Sequence, residues 1–160
     1  MRNSRAKFIS QAAMIAAIYV VLTWFTNLLG LANGVIQIRI SEALTILPLY
    51  FPAAIPGVFV GCLISNLLTG CALWDIVFGS LATLIAAFAT SKMKKVKYLG
   101  TIPPVIANTL IIPPILKAVY MVPDAMWFIY LTVFIGEVLS CIVLGSGLIT
   151  VIDKRLMRKA

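Results

Sequence analysis

A few polar side chains lie inside the long apolar runs of this sequence, and they have the chemistry to bind a ligand. Asn66, Asn108, Lys117 and Glu137 each stand among aliphatic neighbours. An unsatisfied polar group is costly in lipid, so such side chains normally face the interior of a helical bundle. They suit hydrogen bonding to a polar small molecule. The structural alternative is that Lys117 pairs with Glu137 while the asparagines join helices.

A second set of candidates flanks the apolar runs. Arg39 and Glu42 stand three residues apart. One interpretation is that Ser41 or Glu42 caps a helix and Arg39 neutralises the carboxylate. The other rests on residues 35–41, where isoleucines at even positions alternate with mostly polar residues, as in an extended loop. We favour this second interpretation, in which the loop is a lid over a pocket.

Asp75 and Trp74 precede a later apolar run. The carboxylate either stabilises a helix N-terminus or contacts a ligand, and the indole either anchors the chain at the membrane interface or stacks on a planar ligand. Tyr19, Tyr120 and Trp127 are further stacking candidates. The predicted substrate-binding residues are therefore Arg39, Glu42, Asn66, Trp74, Asp75, Asn108, Lys117 and Glu137.

The charges near these candidates favour a cationic ligand. The whole chain has a formal charge of +8, yet the half that holds the candidates is net negative. Its charged residues are Arg39 and Lys117 against Glu42, Asp75, Asp124 and Glu137. A cationic ligand, or one rich in hydrogen-bond donors, would complement this half.

The motifs of autonomous enzymes are missing from the sequence. It contains no GxxxxGK[ST] loop, no GxSxG motif and no histidine, so we predict no catalytic residue, no metal site and no cofactor. Cys62, Cys71 and Cys141 lack CxxC spacing and are predicted to be packing residues. A transporter of this size would be powered by an ion gradient, by oligomerisation or by a separate ATPase. Because the inverted repeats usual in gradient-driven carriers are not apparent, we favour the separate ATPase.

Membrane helices must position the candidate residues. The chain is 62% hydrophobic and only 11% charged, a composition that soluble domains do not reach. Its apolar runs cover roughly 8–32, 43–68, 71–91, 101–121 and 126–152. We predict an all-α integral membrane protein in which residues 1–160 form a single transmembrane domain.

The basic residues predict the topology. They cluster at the N-terminus, at 92–97 and at the C-terminus, which indicates that these regions share the cytoplasmic face of the plasma membrane and argues against nucleic-acid binding. An even number of crossings must then precede Lys92. The run 43–68 is therefore split at Phe51–Gly57, where two prolines and a glycine can reverse the chain.

This split gives a six-helix transmembrane bundle with a short second/third helical hairpin. The legs of about 9–13 residues reach about 14–20 Å, less than a hydrocarbon core of about 30 Å. We therefore expect a protein-lined cavity above the hairpin. Loops 33–42, 69–75 and 122–126 face outside, and Pro113-Pro114 is predicted to break the fifth helix.

Small residues recur at four-residue spacing in the first helix. Ala12 and Ala16 form one such pair, and Ala13 and Ala17 form another. Close backbone approach is possible at such surfaces. Because the same spacing recurs at Gly57/Gly61 and Ala82/Ala86, these surfaces serve either internal contacts or a partner protein.

Four stretches of the chain carry a resemblance to a known family. They are the alanine-rich 12–23, QIRISEAL at 37–44, the stretch 57–67 and WDIVFGSLAT at 74–83. With them the chain resembles the QueT family of substrate-binding S-components of energy-coupling factor (ECF) transporters. The resemblance implies a six-helix bundle that captures a queuosine precursor, the deazapurine preQ1 or queuine, on the outer face.

The resemblance also implies partners. An S-component docks onto a transmembrane scaffold subunit that carries two ATPases, and the family's AxxxA surface maps here to Ala12, Ala13, Ala16 and Ala17. Carboxylates at Glu42, Asp75 or Glu137 would accept the N–H donors of a guanine-like edge.

Three alternatives stay open at this point. The chain is an S-component for another vitamin, or a structural or assembly membrane protein whose charges only stabilise the bundle, or, as a distant third, a membrane enzyme. Ligand panels, ligand-induced thermal shifts and turnover assays distinguish them.

Overall fold

The protein forms a bundle of six helical segments in a computed structural model that describes residues 2–31 and 38–158. The segments are helix 1 (Arg2–Leu28), helix 2 (Ile40–Leu49), helix 3 (Ala54–Leu68), helix 4 (Leu73–Ser91), helix 5 (Ile102–Ala118) and helix 6 (Met126–Met157). A 3₁₀ turn at Lys97–Thr101 precedes helix 5. Those two ranges contain no strand. The prediction of an all-α, six-helix bundle is confirmed.

Helices 1, 4 and 6, and helix 5 together with the 3₁₀ turn before it, are long and apolar enough to cross a membrane. Helices 2 and 3 have only 10 and 15 residues. At the 3₁₀ and α rise per residue they measure about 20 and 22 Å, short of a hydrocarbon core of about 30 Å. The predicted short hairpin is confirmed, and the chain is a helical membrane protein.

Proline and burial explain the form of this hairpin. Helix 2 is wound as a 3₁₀ helix over its whole length, which is unusual because 3₁₀ hydrogen bonds have poor geometry. Its residues from Ser41 to Ile46 are buried, so the surrounding helices hold it in place. The amides of Tyr50 and Phe51 both bond to the Leu47 carbonyl, at 2.9 Å, and Pro52 then directs the chain into helix 3.

The segment before helix 2 differs from the prediction. Helix 2 begins at Ile40, so Ser41 and Glu42 are helical and the predicted loop ending at 42 is wrong. Arg39 is extended, and no side chain caps the helix. The 3₁₀ turn starts early because the Glu42 amide bonds to the Arg39 carbonyl at 3.0 Å. Val35, Ile36 and Gln37 of the predicted lid lie outside the described residues.

Helix 5 continues through Pro113-Pro114 to Ala118, so the predicted break is wrong. The prolines remove the helical donors for the carbonyls four residues earlier. Neighbouring helices and local adjustments make such a loss tolerable in membrane helices. The irregular backbone lies instead in helix 6, where Val138–Leu144 forms a π-helical segment.

Helices 1 and 3 approach closely through glycine. A Cβ on Gly57 would lie 2.9 Å from the Ala12 carbonyl oxygen. A Cβ on Gly61 would lie 2.7 Å from Tyr19 Cβ and 3.1 Å from Ala16 Cα. These glycines let the backbones touch as in other small-residue helix pairs.

The two alanine pairs of helix 1 therefore have different surroundings. Ala16 is buried and Ala12 is half-buried against helix 3, whereas Ala13 and Ala17 are exposed. The structure thus places one pair in the internal contact and leaves the other on the outer surface of the bundle.

Adding a methyl group at Gly61 should destabilise the protein. Gly61→Ala forces apart helices 1 and 3 at Tyr19, and overpacking of this kind typically costs about 1–3 kcal/mol. We expect a lower midpoint of thermal unfolding in detergent. Gly147→Ala is the matched control, because a Cβ there meets nothing within 4 Å. Equal midpoints for the two variants would contradict the close contact.

Polar contacts distinguish the two ends of the bundle. At one end, here called the lysine end, Lys97 Nζ lies 2.7 Å from Asp153 Oδ1 and Tyr50 donates to the same oxygen at 2.8 Å. At the other end, here called the cavity end, the Tyr120 hydroxyl accepts a hydrogen bond from the Ala72 amide at 2.9 Å. The first contact joins helix 6 to the loops after helices 2 and 4, and the second joins the loops after helices 3 and 5.

Candidate functional site

A small cavity, here called the polar cavity because charged and amide side chains contribute to its lining, lies inside the bundle towards the cavity end. Helices 4, 5 and 6 and the start of helix 2 surround it, with the lining residues Arg39, Glu42, Gly79, Thr83, Asn108, Ile112, Val133 and Glu137. The cavity has a volume of about 20 Å³, enough for about one water molecule. Pockets for organic ligands usually reach about 300 Å³ or more, so this cavity must widen to admit one.

Two buried carboxylates are the main chemical feature of the cavity. Glu42 on helix 2 is 1% exposed and Glu137 on helix 6 is 7% exposed. Tyr19 on helix 1 donates a hydrogen bond to Glu42 Oε1, and the Cys141 thiol donates to Glu137 Oε2 at 3.3 Å. Glu42 Oε2 is buried without a hydrogen-bond partner. An acceptor left without a donor in this environment is costly.

Asn108 of helix 5 lines the same cavity as both carboxylates. It supplies both donors and an acceptor. Helices 2, 5 and 6 thus bring two carboxylates and one amide together around a single small space.

The ligand atoms of Glu42, Glu137 and Cys141 lie within 4.8 Å of one another. This set mixes hard carboxylates with a soft thiol. The thiol already donates to Glu137, and Tyr19 already donates to Glu42. The donor set therefore fits an organic hydrogen-bond donor better than a metal ion.

A second polar cluster adjoins the cavity at Gly79. A Cβ on Gly79 would lie 3.3 Å from Asn66 Nδ2 and 3.5 Å from Asp75 Oδ1. Asn66 Oδ1 accepts a hydrogen bond from the Arg39 guanidinium at 3.5 Å. Asp75 Oδ1 is buried without a partner. The absence of a side chain at Gly79 leaves space beside this second unpartnered oxygen.

Tyr120 holds the other oxygen of Asp75, with its hydroxyl donating to Asp75 Oδ2 at 3.1 Å. Partial burial raises the pKa of Tyr120 to about 12, so the hydroxyl stays protonated and remains a donor at neutral pH. Asp75 lies in the first turn of helix 4, but it makes no capping hydrogen bond.

Among the residues that the structure describes, Arg39 is the one cation that lines the cavity. Its guanidinium interacts electrostatically with Asp75 and Glu42, and its backbone amide donates to Ser140 Oγ at 3.2 Å. Ser140 lies in the π-helical segment of helix 6, so that segment helps to hold Arg39 over the cavity. With Glu42, Glu137 and Asp75 nearby, acidic residues outnumber the cation.

Lys117 and Trp74 lie away from the cavity lining. Lys117 Nζ donates to the carbonyls of Val122 at 3.0 Å and Asp124 at 2.8 Å, and it closes the loop before helix 6. Of the side chains described, only Lys97 and Asp153 form an ion pair within 4.0 Å, so the alternative Lys117–Glu137 pair is not formed. Trp74 is 58% exposed and stacks on Phe78.

Several residues of the site were not predicted in their observed roles. Tyr19, considered for stacking, is a hydrogen-bond donor, and Cys141, considered for packing, contacts Glu137. The spacing of Glu137 and Cys141 by four residues on one helix was a usable signal. Nothing in the sequence pattern indicated that Gly79 and Thr83 face the cavity.

Comparisons with known proteins identify a family of transporters. The sequence model of a family described as "QueT transporter" matches residues 9–154. The "Queuosine precursor transporter QueT" of Lactococcus lactis subsp. cremoris (strain MG1363) is 37% identical over 86 residues, which cover 53% of this chain and 50% of that protein. The match thus spans half the length of that relative. No solved structure matches the chain.

Proposed function

The chain belongs to the QueT transporter family, and from this membership we propose that it is the substrate-capture component of an ECF-type importer for a queuosine precursor. The ligand would be the deazaguanine base preQ1, with queuine as the related possibility. A separate transmembrane scaffold and two ATPase subunits would power delivery into the cell. The match to the family model confirms the resemblance to the QueT family described above.

The observation that carries the proposal is the pair of buried carboxylate oxygens without partners, Glu42 Oε2 and Asp75 Oδ1. A ligand that offers N–H donors would satisfy both oxygens and remove the cost of burying them. A guanine-like edge offers such donors, and the aminomethyl group of preQ1 adds a cation. The acidic character of the cavity favours such a ligand over an anion.

The positions of the acidic and amide side chains indicate which part of the ligand each would contact. Glu42, Glu137 and Asn108 form the larger cluster and would contact the pyrimidine edge of the base, where a carboxylate accepts two parallel N–H bonds and an amide serves the carbonyl. Asp75 and Asn66, on the other side of Gly79, would contact the aminomethyl group.

Entry of a base into a cavity of about 20 Å³ requires an opening. Arg39 is the residue whose contacts close the cavity at the start of helix 2, through Ser140 and Asn66. The bond to Ser140, at 3.2 Å, is at the long end of the usual range, and the bond to Asn66, at 3.5 Å, is longer than that range. We propose that the Arg39 side chain moves aside to admit the ligand and returns over it.

The positions of the basic residues indicate how the protein would be oriented in the membrane. The lysine end carries the cluster at 92–97 and would face the cytoplasm together with both termini. The cavity end would then face outside, where the substrate is captured.

Docking to the scaffold would use the exposed pair of helix 1, Ala13 and Ala17. The double variant Ala13→Leu/Ala17→Leu should abolish uptake. Its ligand affinity should stay within about 2-fold of the unmodified chain, because neither residue lines the cavity. Uptake by cells that carry the complete transporter and binding by the purified chain are the two measurements. Met14→Leu, at a neighbouring exposed position, is the matched control. Normal uptake by the Ala13→Leu/Ala17→Leu variant would rule out this surface.

Mass spectrometry of small molecules that co-purify with the protein tests the proposed function. We expect a deazaguanine amine in stoichiometric amount, and a rise in thermal stability when it is added back. A different vitamin would reassign the substrate. No bound compound, together with no thermal shift across a panel of bases and vitamins, would support a purely structural role for the buried charges.

A further inference from the structure

A wholly apolar groove of about 450 Å³ lies between helices 4 and 5, on the outside of the bundle. Its walls include Ile85 from helix 4 and Ile106 and Leu110 from helix 5. The walls also include Ala89 from helix 4 and Ala107 from helix 5, whose small side chains leave the space open. None of its lining residues belongs to the polar cavity.

Two exposed lysines adjoin one lining residue of the groove in the chain. Met93 is the lining residue nearest the lysine end, and Lys92 and Lys94, its neighbours in the chain, are exposed. Lys92 Nζ lies 4.8 Å from the centroid of the Phe88 ring. Among the described side chains, neither lysine has a carboxylate within 4.0 Å. Positive charge at the mouth of an apolar groove complements a molecule with an anionic head and a hydrocarbon tail.

The length of the groove matches an acyl chain. From Ile85 to Met93 the groove runs about 12 Å along helix 4, most of the depth of one leaflet of about 15 Å. Side chains of a partner helix are the alternative occupant, and the exposed lysines beside Met93 favour a lipid with an anionic head.

We propose that this groove binds an anionic phospholipid, with one acyl chain between helices 4 and 5 and the phosphate at Lys92 and Lys94. Basic pockets between membrane helices on the cytoplasmic side bind anionic headgroups in this manner. Such a lipid would brace helices 4 and 5, which carry Gly79 and Asn108 of the polar cavity.

Native mass spectrometry of the full chain tests the proposal, with phosphatidylglycerol and phosphatidylcholine of identical acyl chains as competing probes. We expect one phosphatidylglycerol to be retained in preference to phosphatidylcholine. Lys92→Gln and Lys94→Gln should each lower phosphatidylglycerol affinity by about 5-fold. Arg5→Gln/Lys7→Gln, which removes two exposed cations near the N-terminus, should leave the preference unchanged.

Filling the groove tests the acyl-chain site separately. Ala89→Phe should abolish retention of both lipids, and Ala107→Phe from the opposite wall is the second variant if the first unfolds. Millimolar inorganic phosphate should not displace the lipid, since the acyl chain contributes to binding. Equal retention of the two lipids by the unmodified chain would overturn the proposal, and so would undiminished retention after the groove is filled. The groove would then be assigned to side chains of a partner protein.

Discussion

Replacing Glu42 by Gln should lower preQ1 affinity by at least about 30-fold, because truncating one partner of a buried charged hydrogen bond costs about 2–5 kcal/mol. Glutamine keeps the size of the side chain and can still accept from Tyr19. It loses the negative charge, and its amide hydrogens would face the ligand's own donors. Titration calorimetry of the purified chain with preQ1 measures the effect.

The matched control for this variant is Asp124→Asn, which removes an exposed carboxylate at the same end of the bundle. The preQ1 affinity of this control should stay within about 2-fold of the unmodified chain, because salt screens an exposed charge that does not line the cavity. Without ligand, Glu42→Gln should unfold at the same temperature as the unmodified chain or higher, since it removes a buried charge. Equal preQ1 affinity for Glu42→Gln and the control would exclude Glu42 from the binding site.

Filling the cavity at Gly79 should abolish ligand binding altogether. A Leu side chain at this position would occupy the space beside Asp75 Oδ1 and Asn66 Nδ2, where even a Cβ lies at 3.5 and 3.3 Å. We expect a loss of more than about 100-fold in preQ1 affinity for Gly79→Leu, because the ligand and the new side chain cannot occupy the same space. Binding is again measured by calorimetry.

Gly147→Leu is the control for this steric prediction. Gly147 is an exposed helical glycine whose Cβ would meet nothing within 4 Å, so the variant should bind like the unmodified chain. Gly79→Ala is a graded variant that should bind more weakly than the unmodified chain while remaining folded. If preQ1 binds Gly79→Leu with unchanged affinity, the ligand site lies elsewhere in the bundle.

The six-helix architecture was predictable because lipid imposes strong constraints on a sequence. The lysine cluster required an even number of crossings before residue 92, and Pro52 and Pro56 showed where the extra reversal lies. The hydrophobic pattern could not show that helix 2 would wind as a 3₁₀ helix or that helix 6 would contain a π-helical segment. Both depend on tertiary contacts, such as the bond from the Arg39 amide to Ser140, 101 residues away in sequence.

The candidate site was predictable in chemistry but only partly in geometry. The cost of burying polar and charged groups in lipid pointed to Asn108 and Glu137, and the structure brings both to one cavity with Glu42. The same reasoning selected Lys117, and Trp74 was selected for stacking on a planar ligand. Both lie elsewhere, because the position of a residue along the chain does not reveal which face of the bundle its side chain takes. Gly79 carries no polar group, so a search for chemistry in the sequence could not find it.

The preference of the purified chain between two matched ligands tests the central claim most directly. preQ1 carries an aminomethyl cation, and an analogue with a carboxylate at the same ring position carries the opposite charge on the same base. We expect calorimetry to show much tighter binding of the cation, since Glu42, Glu137 and Asp75 outnumber Arg39 around the site. Tighter binding of the carboxylate analogue would contradict the assignment of these buried acids to substrate capture.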